Sequence, residues 1–148
     1  MIKEQLYRKC IDILNNRIEK YKAELSIMKE SFESDDKDSG DEDESGVGSS
    51  SEDIYFKNIE YLKEATQMKE NLKKVDVFQN NNTAKIGSLV ECSNGLFFIS
   101  VPLGKIEMDD KIYFAISNQS PVGQLLGGKK EGDQISFNSN VYIINKIH

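Results

Sequence analysis

Tyr7, Ile11, Leu14, Ile18, Tyr21, Leu25, Met28 and Phe32 fall at alternating spacings of four and three residues. That spacing gathers apolar side chains on one narrow stripe of a helix, the seam of a coiled coil. Cys10 and Ile13 widen the stripe at its start, and no Gly or Pro interrupts residues 1–33, which predicts one helix of about 45–50 Å at 1.5 Å per residue. A second helical pattern follows SGVGSSS (Ser45 to Ser51), a turn-rich stretch unsuited to helix. Ser51 is the predicted N-cap, with Glu52 and Asp53 in the first turn, where they complement the positive end of the helix dipole. The predicted seam of this helix is Ile54, Tyr61, Ala65, Met68, Leu72 and Val75, with Leu62 alongside. The two helices are expected to pair antiparallel, Phe32 near Ile54 at one end and Leu72 and Val75 near Tyr7 and Ile11 at the other.

Past residue 76 the pattern changes period. Residues 77–85, with QNNNT, read as a linker, and the apolar positions that follow alternate as in strands. Strands are predicted at Gly87 to Cys92, Leu96 to Val101, Lys111 to Ile116, Gln134 to Phe137 and Val141 to Ile147, with one short helix at Pro121 to Leu126. Asn94-Gly95 and Asn138-Ser139-Asn140 are hairpin signals, because Asn and Gly adopt positive φ cheaply. Asp109-Asp110 reads as a turn. The fold class is therefore α+β: an N-terminal antiparallel coiled-coil hairpin over residues 1–76 and a small, mostly antiparallel sheet with one short helix over residues 86–148.

Charge changes the picture between the helices. Residues 30–53 hold eleven acids and one base, a local charge of −10, which leaves +4 for the rest of a chain whose total is −6. Such a run would repel phosphates, and a direct nucleic-acid binder needs a basic face, so RNA and DNA are expected only in indirect proximity. By composition alone the run also fits a solvated loop. An EF-hand is excluded: counted from Asp36, Gly40 falls at position 5 rather than 6, and position 12 is Val47. Cys10 and Cys92 are the only cysteines and His148 the only histidine, which argues against zinc sites and histidine-dependent catalysis and for reduced thiols in a cytoplasmic protein. No apolar run reaches the ~18 residues of a membrane span, and Met1 to Leu14 is too polar for a signal peptide.

Ser120 to Asp133, SPVGQLLGGKKEGD, followed by a closing hairpin that ends in YIINKI, resembles the C-terminal domain of the Gre family of bacterial transcription elongation (transcript cleavage) factors. Those domains carry S-P-L-G-x-A-L-L-G-K-K-x-G-D before their last strands. Ser120, Pro121, Gly123, Leu126, Gly128, Lys129, Lys130, Gly132 and Asp133 fall on that pattern without a gap, whereas Val122, Leu125 and Gly127 depart from it. The stretches GSLVEC, FFISVPLGK and YFAIS are similar to the short Gre-like proteins of Bacteroidetes-type bacteria.

The resemblance implies a coiled-coil hairpin inserted through the secondary channel of RNA polymerase while an FKBP-like C-terminal domain holds the channel rim. It implies no enzyme activity of the chain's own and no cofactor bound alone. Tip carboxylates would share a second Mg²⁺ with the polymerase active site, so that the polymerase cleaves its own backtracked RNA. The candidate tip acids are Glu52, Asp53, Asp41, Glu42, Asp43 and Glu44, with Asp53 and Glu52 as the metal candidates. Family tips carry an Asp and, three residues later, a Glu. Here Asp53 is the nearest counterpart, and three residues on stands Phe56. Candidate contacts with the polymerase rim are Ser120, Pro121, Val122, Gly123, Lys129 and Lys130. A monomer is expected. The alternatives are a non-cleaving inhibitor that binds the same channel, and a chaperone or FKBP-like peptidyl-prolyl isomerase.

Overall fold

The computed structural model describes residues 1–35 and 47–148. Helix α1 spans Ile2–Asp35 and helix α2 spans Val47–Lys73; strands β1 to β4 span Leu89–Cys92, Gly95–Ile99, Gly104–Met108 and Lys111–Ile116; helix α3 spans Pro121–Leu126; and β5 and β6 span Gln134–Phe137 and Asn140–Ile147. The architecture is α+β, with the strands in one six-stranded sheet ordered β3-β4-β2-β1-β6-β5. The chain divides into two compact units, residues 13–69 and residues 1–12 with 70–148.

In the helical unit the antiparallel pairing is fixed by three contacts: Phe32 meets Tyr55 edge-on at 5.6 Å, Tyr21 meets Tyr61 at 5.8 Å, and Asn58 Nδ2 reaches Met28 Sδ at 3.7 Å. Two features depart from the sequence reading. α2 begins at Val47, so Ser51 lies inside the helix rather than at its cap, and no acid stands in the first turn. The weak helix propensity of Ser and Gly is a small penalty per residue, and a helix already paired with α1 offsets it. Second, the predicted seam of α2 holds from Leu62 onward, where Ala65, Leu72 and Val75 are buried and Met68 is half-buried, but not at its start. Ile54 and Tyr61 are exposed, while Tyr55 and Leu62 are half-buried and Asn58 is buried. The spacing 55-58-62-65 is as helical as 54-61-65, and at this end of α2 it is Tyr55, not Ile54, that meets Phe32.

The other unit contains the sheet. At the start of α1 the buried side chains are Leu6 and Cys10, with Tyr7 half-buried, so the centre of the stripe lies one residue earlier than the heptad reading placed it. Lys3 is also buried; its ammonium donates to the Gln79 carbonyl oxygen, and burial lowers its pKa against the raising influence of Asp76. Val77, Asn81 and Ala84 are buried, and Ser88 Oγ accepts from Asn81 Nδ2 at 2.9 Å and from the Lys85 N–H at 3.1 Å.

β3 escaped the sequence reading. It pairs antiparallel with β4 around Asp109 and Asp110, both at positive φ, while β4 returns between β3 and β2 and runs parallel to β2. The two-residue turn between β1 and β2 is Ser93-Asn94, so Gly95 already belongs to the strand. At the last hairpin Asn138 and Ser139 take φ of 49° and 66°, and Asn140 opens β6. One face of the sheet packs Val90, Cys92, Phe97, Ile99, Ile135, Ile144 and Ile147 with Leu126 of α3. Along β2, alternation sends Phe98 to the opposite face, where it is fully buried.

Both thiols are buried, and burial pushes Cys10 up to about 12 and Cys92 up to about 11 from an ordinary value of 9.0. The native protein should therefore resist iodoacetamide at pH 8, with mass-spectrometric labelling of both thiols appearing only on unfolding. The folded chain holds these protons to higher pH than the unfolded chain. Stability from this source is complete below pH 9 and falls as pH rises toward 11 to 12.

Candidate functional site

Two places carry the candidate residues. On α2, Glu52 and Asp53 are exposed. They are successive helical residues, so their side chains leave the axis about 100° apart and do not converge on one point. Asp41, Glu42, Asp43 and Glu44 lie outside the described residues. Among the described residues no three His, Cys, Asp or Glu side chains gather as a metal-binding group. Phe56, three residues after Asp53, is 61% exposed, and Ile59, one turn further on, is 38% exposed. An apolar strip thus follows the two acids along α2. It was legible in the sequence only as residues left over from the seam.

The second place is residues 117–133. Ser120 is the N-cap of α3: its Oγ accepts from the Gly123 N–H at 3.1 Å and donates to the Ser117 carbonyl at 2.6 Å, and Pro121 follows at the first helical position, where its missing N–H has no cost. Gly123 is buried, and its surroundings leave no room for a side chain. A Cβ there would stand 2.1 Å from the Ser117 carbonyl oxygen. Replacing Ser120 by Ala should destabilise the protein by about 1–2 kcal/mol, read as a lower denaturation midpoint at unchanged slope. An unchanged midpoint would show that the cap is dispensable.

The rest of the motif builds a clasp. The Gly128 N–H donates to the Ala84 carbonyl and the Ala84 N–H to the Lys129 carbonyl, both at 2.8 Å. Asp133 Oδ2 accepts from the Lys130 N–H at 2.8 Å, and the Gly132 N–H donates to the Ile144 carbonyl at 2.8 Å. Gly128 and Gly132 have φ of 78° and 91°, values that favour glycine. So Ser120, Gly123, Gly128, Gly132 and Asp133 shape the backbone. Pro121, Val122, Lys129 and Lys130 remain at least partly exposed.

No protein-family profile matches the sequence, and no curated protein matches it. Among solved structures, the chain is similar to that described as the structure of the transcription factor Gfh1, at 17% identity over 95% of this chain and 94% of that one, with a TM-score of 0.38.

The aromatic side chains split as strand alternation requires. Phe97 stacks at 6.0 Å from Phe114 and meets Tyr142 edge-on at 5.8 Å. Phe98 and Tyr113 are fully buried, and burial pushes the Tyr113 hydroxyl pKa up. Among the described residues no helix is long and apolar enough to cross a membrane.

Proposed function

We propose that this chain is a Gre-like regulator of RNA polymerase, acting in the cytoplasm, whose helical hairpin enters the secondary channel. The observation that supports this reading is the co-occurrence, in one chain and in Gre order, of a long antiparallel helix pair joined through an acidic run and the S-P-x-G…G-K-K-x-G-D loop. The exposed Pro121 and Lys130 and the partly exposed Val122 and Lys129 are the side chains available to the rim of the channel, while Ser120 and Gly123 set the shape of the loop that presents them.

Glu52 and Asp53 offer the carboxylate oxygens that Mg²⁺ prefers, but two diverging helical positions make an incomplete set, so polymerase residues and water would supply the remainder. A second Mg²⁺ contributes Lewis-acid stabilisation of an in-line phosphoryl displacement. Positioning decides whether that contribution is realised, and Phe56 removes the carboxylate one turn from Asp53. This favours, as a second reading, a hairpin that occupies the channel without stimulating cleavage.

The test is transcript cleavage in stalled, backtracked complexes built with the host's polymerase. Shortened RNA that chases to full length establishes a cleavage factor. Competition with a known Gre factor without cleavage establishes a non-cleaving channel binder. The absence of both effects would refute the polymerase assignment, and a proline-isomerisation assay on a small peptide would then address the isomerase alternative.

A further inference from the structure

The two edges of the sheet differ in chemistry. β3 carries Lys105 and Glu107, whose side chains pair at 3.2 Å, so that rim is charged. β5, at the other edge, reads Gln-Ile-Ser-Phe and holds no charge. An uncharged edge without Pro or bulge is a template for further strand pairing.

The hydrogen bonds of β6 show which way the main chain of β5 faces. The Ile144 N–H donates to the Asp133 carbonyl and the Ile144 carbonyl accepts from Gly132, so Ile144 turns its backbone toward β5; Ile143 bonds instead to Ser93, next to β1. Gln134 stands opposite Ile143 and Ser136 opposite Val141. By alternation, the N–H and C=O of Gln134 and Ser136 point away from β6, out of the sheet. Ser136 is exposed, and on the same face Val141 and Ile143 are 50% and 45% exposed.

We propose that β5 pairs antiparallel with β5 of a second copy about a twofold axis through Ser136. In that register the N–H and C=O of Ser136 exchange both hydrogen bonds with those of its counterpart. Ile135 of each copy stands opposite Phe137 of the other, a β-branched and aromatic cross-strand pair of the favourable kind. Other registers fail. An axis through Gln134 places the Asp133 carboxylate opposite Ile135, and an axis through Ile135 presents backbone groups already bonded to β6. The contact is one short strand, well below the ~1,200 Å² of stable interfaces, so the association is weak: monomer at micromolar concentration and dimer toward about millimolar.

Sedimentation equilibrium on the full chain from about 0.01 to 1 mM tests this. The weight-average mass should rise from 16.8 kDa toward twice that value. Ser136→Lys puts two lysines directly opposite each other with Cα atoms about 5.5 Å apart on the axis, and Ser136→Pro removes the outward N–H at an edge position that tolerates it. Both variants should stay monomeric. A wild-type mass that stays at 16.8 kDa to 1 mM overturns the proposal, and so does association of both variants equal to that of the wild type. Ser136→Cys should form disulfide-linked dimers under mild oxidation, since that Cα separation suits the bond, whereas Glu107→Cys on β3 should not. Equal cross-linking of the two would mark random collision and overturn the twofold register.

Discussion

Replacing Gly123 by alanine is expected to destabilise the protein by ~3 kcal/mol or more, the upper range for forcing an extra carbon into packed structure. The added Cβ would lie 2.1 Å from the Ser117 carbonyl oxygen, 2.9 Å from Ser120 Oγ and 3.0 Å from Asn118 Cα. Relief by movement is blocked, because that carbonyl is held by the Ser120 N–H at 3.1 Å and by Ser120 Oγ at 2.6 Å. Gly128→Ala is the matched comparison. Nothing lies within 4 Å of its Cβ, so its cost is the positive φ alone, about 1–2 kcal/mol. Urea unfolding of the two variants separates the effects, and equal losses would mean that the loop relaxes and the close approach is unimportant.

The double substitution Glu52→Ala, Asp53→Ala should lower stimulated transcript cleavage by about 100-fold, equivalent to about 3 kcal/mol of transition-state stabilisation, if the wild-type protein stimulates cleavage at all. Channel competition should be unchanged. Both side chains are exposed on α2, so the fold should tolerate their loss, and helical circular dichroism would verify that. Loss of competition together with cleavage would instead make the two acids docking contacts. Where the wild type only competes, the informative variant is Phe56→Glu, which places a glutamate three residues after Asp53. A gain of cleavage would show that a carboxylate at that one position is what stimulation requires.

Much of this was legible in the chain because the signals are local. The unbroken seam from Tyr7 to Phe32 predicted α1, the short helix Pro121–Leu126 was read at its observed bounds, and Ser120 before Pro121 fits a helix N-terminus that the structure then shows capped. Turn chemistry located the hairpin at Asn138 and Ser139 because positive φ is a property of the residues themselves. β3 was missed because Gly104–Met108 offers only Ile106 as a buried position, with Met108 half-buried, and an edge strand has little reason to look apolar. The start of α2 was misplaced because Gly and Ser describe a preference, whereas pairing with a neighbouring helix overrides it.

At the candidate site the division is sharper. That Glu52 and Asp53 are carboxylates near one end of a helix pair, with Phe56 one turn on, follows from the sequence and the helical period. That Gly128 and Asp133 tie their loop to the rest of the sheet unit could not be read from it, because their partners Ala84 and Ile144 are identified only by the path of the folded chain. The sequence by itself determined the elements, their periods and their turns, all set by steric and hydrogen-bonding preferences over a few residues. Only the tertiary structure decided that Tyr55 rather than Ile54 faces α1 at the start of α2, that β4 inserts beside β2, and that β5 is left as an uncharged edge. Each of those depends on contacts between residues distant in sequence, whose energies no local pattern encodes.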